Sequence, residues 1–153
     1  MGCDIHCYAE RRVGDGWEMI QGLYPFQDRN YTIFAFLADV HNEVGVQSIA
    51  QPRELPADIS DGVVVNFWHC RDDAHSLSWL SMSELNDYDY DRTIKVEKRC
   101  GLMAAYCGGG DGGVNDDEVE VTTIRALLGD AFFDDLQELK ARNAERIVFW
   151  FDN

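Results

Sequence analysis

The sequence predicts an α+β fold, one compact domain over residues 1–153 in which a mixed sheet contains both terminal strands beside three or four helices. Three observations carry that expectation. Residues 3–12 alternate, with Cys3, Ile5, Cys7 and Ala9 on one side and Asp4, His6, Tyr8 and Glu10 on the other, the period of a strand. Helical spacing appears at 31–41 and again at 130–144. The chain closes on Ile147-Val148-Phe149-Trp150-Phe151, a continuous apolar run suited to a strand covered on both faces.

Each element has a local reason. Gly14-Asp15-Gly16 reads as a hairpin turn, returning the chain through Trp17 to Ile20. Asn30 is placed to cap a helix over about Tyr31 to His41. Pro52, Pro56 and Gly62 make 45–62 a loop, and the apolar run Val63 to Trp68 then predicts a buried strand. Asp73 to Trp79 reads as a polar loop leading into Ser81-Met82-Ser83-Glu84, a capping box that opens a short helix. A strand is expected at Thr93 to Val96, helix toward Tyr106, and a glycine-rich connector at 107–113. Ile124 to Leu128 begins a helical segment broken by Gly129, after which Asp130 is placed to cap a longer helix burying Phe132, Phe133, Leu136 and Leu139.

Charge excludes one class of partner. With 28 Asp+Glu against 13 Lys+Arg the formal net charge is −15, which disfavours binding to nucleic-acid backbones. A hydrophobic share of 46% argues against disorder. No apolar stretch approaches the ~20 residues that span a bilayer, so no membrane partner is expected. The opening residues lack the basic start and apolar core of a signal peptide. Five cysteines, an odd number, fit a reducing cytoplasm.

The sharpest chemical feature is a duplicated Asp-x-His, Asp4/His6 and Asp73/His75. Carboxylate oxygen and imidazole nitrogen together suit Zn, Mn or Fe as the divalent ion. Antiparallel pairing of the terminal strands would bring Asp152 near Asp4, so Asp4, His6, Asp73, His75 and Asp152 form the predicted metal set. Arg29 and Asn30 at the first helix start, with Arg53, Ser76 and Trp79, are the predicted contacts to a phosphate-containing ligand. The other tryptophans, Trp17, Trp68 and Trp150, belong to the expected core. Cys3 and Cys7 face away from His6 and read as small buried residues.

Acid is concentrated late in the chain. Residues 111–138 hold nine acidic residues against Arg125 alone. Asp130, Asp134 and Asp135 suit the first turns of a helix, whereas Asp116-Asp117-Glu118 reads as a solvated loop or a face toward a basic partner.

The segments MGCDIH, DRNY (28–31), PRELPADIS (52–60), DAHSLSWL (73–80) and IVFWFDN (147–153) together resemble a family of small, uncharacterised proteins encoded by bacteriophages and prophages. The resemblance implies an accessory protein of the infected bacterial cytoplasm, with polar motif positions at Asp4, His6, Asp28, Arg29, Asn30, Arg53, Asp73, His75, Ser76 and Asp152. Two functions follow as expectations. One is a polar Asp/His site for metal-dependent binding or hydrolysis of a nucleotide or other phosphate-containing ligand. The other is a non-enzymatic acidic inhibitor of a basic host defence protein. The residues leave open whether the chain is an enzyme.

Overall fold

The computed structural model describes residues 2–97 and 119–153. Alternation over the first residues becomes strand β1 (Asp4–Val13), which a tight turn with Gly14 at φ 59° reverses into β2 (Gly16–Met19). The closing run forms β6 (Arg146–Asp152), buried along nearly its whole length. It lies between β1 and β3 (His75–Ser81), giving the order β2-β1-β6-β3. A second, two-stranded ribbon joins β4 (Thr93–Glu97) to β5 (Val119–Thr123).

Asn30 caps α1 (Tyr31–Ala38) by accepting from the Thr32 and Ile33 amides. The helix stops three residues short of His41 because Asp39 turns left-handed at φ 60°. The capping box opens α3 (Met82–Asp87) with both reciprocal bonds made. Thr123 caps α4 (Ile124–Leu128), and α5 (Asp130–Ala141) follows. Asp130 is the first helical residue of α5 rather than its cap. Gly129 takes the cap position at φ 79°, outside the reach of an ordinary side chain.

The sheet is covered on both faces. Cys3, Ile5, Cys7 and Ala9 meet α1, α3, α4 and α5 in the larger core, where Phe34, Phe36, Phe132 and Phe149 are fully buried. Tyr8, Val148 and Trp150 pack on the opposite face against Val63 and Phe67.

Five expectations are corrected. The main sheet is antiparallel throughout rather than mixed, since β1–β2, β1–β6 and β3–β6 all pair antiparallel. Val63 to Trp68 is not a strand but lies in α2 (Asp61–Cys70). Val63, Phe67 and Cys70 line its inner side at helical spacing, while Val65 and Trp68 are each 58% exposed, so Trp68 is not core. This helix raises the number among the described residues to five, above the three or four expected. The 73–79 loop is largely β3: its side chains look polar, but its backbone pairs with β6 across a bulge between His75 and Ser78. The expected helix toward Tyr106 and the 107–113 connector lie outside the described residues.

Candidate functional site

The site is built where β1 begins and β6 ends. Antiparallel register sets Asp4 directly opposite Asp152 and His6 opposite Trp150, and the pleat turns all four toward one face. His6 Nε2 lies 2.9 Å from Asp152 Oδ2, and the imidazole stacks on the Trp150 ring at 5.8 Å. The buried Trp150 indole N–H has no hydrogen-bond partner among the described residues. Arg29 donates from Nε and Nη2 to the two oxygens of Asp4 at 2.9 and 2.8 Å. These hydrogen bonds hold the Asp4 carboxyl below its ordinary range and push the guanidinium up. Gly2 lets the pair form, since a side chain there would collide with the Arg29 guanidinium.

His75 stands on the other side of the sheet. Its register partner is Phe151, itself opposite Ile5 on the larger-core face, and the two rings stack at 6.1 Å. There His75 Nε2 is 3.9 Å from Cys3 Sγ, and Nδ1 is 3.1 Å from the Ser76 hydroxyl. Ser76 sits in the bulge at φ 51°, a left-handed conformation that costs a non-glycine residue about 1–2 kcal/mol. Burial, with Asp152 and Asp4 nearby, raises the Cys3 thiol, and burial raises Cys7 well above its ordinary value. Both thiols therefore stay protonated near neutral pH and serve as packing groups, as their strand face suggested.

The predicted metal set is thus divided. Asp4, His6 and Asp152 share a face and adjoin one another, and His75 projects from the opposite face. Asp73 lies in the exposed turn after α2, its side chain without a hydrogen-bond or ion-pair partner among the described residues. As the side chains stand, no three His, Cys, Asp or Glu among the described residues are arranged to hold a metal ion.

The other predicted ligand contacts are taken up internally. Asn30 is spent on the α1 cap. Arg53 pairs with Glu84, donates to the Trp79 carbonyl at 3.3 Å and lies over the Trp79 ring at 4.9 Å. That pairing holds the Glu84 carboxyl down at about 2. Arg53 and Trp79 do meet, but in a loop-to-strand clasp rather than beside His75.

Sequence reasoning missed Tyr31 and His41. Cys3 N–H donates to the Tyr31 hydroxyl at 3.3 Å, and the Tyr31 ring stacks on His41 at 4.7 Å. Helical spacing put Tyr31 and His41 on one side of the expected helix, yet only the fold brings Cys3 to the Tyr31 hydroxyl.

No family model, curated protein or solved structure matches this chain. Among the described residues, no helix is long and apolar enough to cross a membrane.

Proposed function

We propose that the chain binds a small phosphate-containing ligand through a divalent cation held by Asp4, His6 and Asp152, in the bacterial cytoplasm where the phage-encoded proteins it resembles would act. One observation supports this above others: two carboxylates stand directly opposite each other on one sheet face, with an imidazole bonded to one of them. Like charges at such a cross-strand position repel, so the arrangement calls for a cation. Arg29 now fills that role for Asp4. Both partners are about half exposed, so the ion pair adds little net stability and a divalent ion displaces it readily.

Phosphate alone fits this end poorly, because Asp4 and Asp152 outweigh the single charge of Arg29. A cation reverses the balance and leaves Arg29 to bind the phosphate oxygens. Zn, Mn and Fe all accept this mixture of carboxylate and imidazole. Bound by three side chains, such an ion keeps positions for water and a phosphate oxygen, which is what hydrolysis of a phosphate ester requires.

Calorimetric titration of chelator-treated protein with Mn²⁺ and Zn²⁺ tests the reading. Wild type and His75→Ala should bind one ion saturably, whereas the His6→Ala/Asp152→Asn double variant should not. Equal binding by that variant, or no saturable binding by wild type, overturns it.

A further inference from the structure

We infer that the ligand of the Asp4/His6/Asp152 site is a nucleoside phosphate whose base lies against Tyr24 and Tyr8, on the same sheet face. This rests on the cation-and-phosphate reading above and names the rest of the molecule. Tyr8 follows His6 on that face of β1, two residues or roughly 7 Å further on, a gap that one ribose bridges. The Tyr8 ring packs on Trp150 at 5.3 Å, and Trp150 in turn stacks on His6. Aromatic surface therefore runs without a break from the cation end to Tyr8.

The loop over 20–30 brings Tyr24 to this strip. It runs beside the first half of β1, from the Ile20 N–H on the Ala9 carbonyl to Arg29 on Asp4. Between those points Tyr24 meets Tyr8 edge to face at 6.0 Å. Tyr24 is 46% exposed, so much of its ring is open to a ligand. The other exposed aromatic, Trp68, carries the Arg71 guanidinium at 4.3 Å, whereas no cation covers Tyr24 among the described residues. One loop thus supplies both Arg29 for the phosphate and Tyr24 for the base.

Two polar atoms on this face lack partners. Tyr8 is buried, yet its hydroxyl makes no hydrogen bond among the described residues, and the buried Trp150 indole N–H makes none either. Burial raises the Tyr8 phenol to about 12, with Cys70 and Tyr24 adding to the rise, so it remains a donor at neutral pH. A nucleobase offers what this surface lacks: a flat π face for Tyr24, with ring nitrogens and carbonyls to accept from unpaired donors. An acyl-chain phosphate would leave both donors unsatisfied.

Calorimetry on the Mn²⁺-loaded protein with adenosine 5′-monophosphate, uridine 5′-monophosphate and ribose 5-phosphate tests the inference. At least one nucleotide should bind about tenfold more tightly than ribose 5-phosphate. Tyr24→Ala should abolish that preference, and Tyr24→Phe, which keeps the ring, should retain it. Tyr8→Phe, which removes only the hydroxyl, should weaken nucleotide binding by about fivefold. Phosphate binding with no preference for a base, or a preference that Tyr24→Ala retains, overturns this inference alone. Failure to bind Mn²⁺, or Mn²⁺ binding with none of the three phosphates bound, overturns the cation reading and this inference with it.

Discussion

Glu10 and Arg146 are register partners on β1 and β6, and their side chains meet at 2.6 Å with 0% and 5% exposure. The second Glu10 oxygen accepts the Ser60 amide at 2.7 Å, and Arg146 reaches Asp58 Oδ1 at 2.8 Å. The Trp17 indole donates to Asp58 at 2.9 Å while its ring lies under the guanidinium at 3.7 Å. One buried pair thereby ties the terminal strands to the loop that leads into α2.

Removing one partner of such a pair leaves the other charged and buried. Arg146→Ala should cost roughly 3–5 kcal/mol in urea unfolding, and Arg146→Met, which fills the space, much the same while Glu10 stays charged. The double variant Glu10→Gln/Arg146→Met should recover a good part of the loss. A single-variant cost below about 1 kcal/mol would show that Glu10 is solvated through the Asp58 loop.

Glu10 marks where sequence reasoning stopped. Alternation correctly put it on the face with Asp4, His6 and Tyr8, and the pairing of Asp4 with Asp152 followed from two terminal strands. Its partner 136 residues away was not visible, because period-two patterning orients a side chain without saying what lies across from it. The strand at His75 was missed for a related reason: pairing is made by backbone, and the bulge at Ser76 breaks the alternation. At Val63–Trp68 local composition misled, since β-branched residues favour strands while burial on one side favoured a helix. Arg29 was legible as an anion contact, but its capture by Asp4 needed the fold.

The α2 assignment carries its own test. On a helix Val65 and Trp68 face solvent, so Val65→Ser and Trp68→Ser should change stability by no more than about 0.5 kcal/mol. Val63→Asp, which buries a charge against Trp150 and Tyr8, should cost roughly 3 kcal/mol or more. A central strand covered on both faces would penalise all three substitutions.

Acid stability should depend on Glu84. Its carboxyl falls from an ordinary 4.5 to about 2, chiefly through the Arg53 hydrogen bond. A depressed carboxylate contributes stability that is present above pH 4.5 and lost as pH falls toward 2. Both partners are about a third exposed, so screening leaves on the order of 1 kcal/mol. Glu84→Gln should be less stable than wild type at pH 7, with the difference shrinking over that window in thermal melts.

Asp135 has the opposite sign. Burial raises its carboxyl, with Asp28, Glu138 and Asp134 adding to the rise, although it accepts the Phe26 amide at 2.8 Å. An acid with a raised folded value favours the folded state below its unfolded pKa and loses that contribution as pH rises through the folded value. Asp135→Asn keeps an acceptor for Phe26 without the charge. It should raise Tm by about 2 °C at pH 7 and lose that advantage below pH 4. Destabilisation at neutral pH would mean the charge strengthens the Phe26 bond by more than burial costs.

Gly2 offers a direct handle on the proposed exchange between Arg29 and a divalent ion. A methyl group there would displace the guanidinium, and the long, half-exposed Arg29 side chain can move away at little cost to the fold. Gly2→Ala should therefore leave Tm within about 1 °C of wild type while freeing the Asp4 carboxylate. Asp4 should then titrate closer to 3.8, followed through its side-chain carboxyl carbon. Its release should tighten Mn²⁺ binding about threefold, because the ion no longer competes with Arg29 for both oxygens. The phosphate affinity of the metal-loaded site should move the other way if Arg29, once displaced by the methyl, no longer reaches the ligand. Weaker Mn²⁺ binding, with Asp4 still titrating low, would mean that Arg29 and the cation do not share that carboxylate.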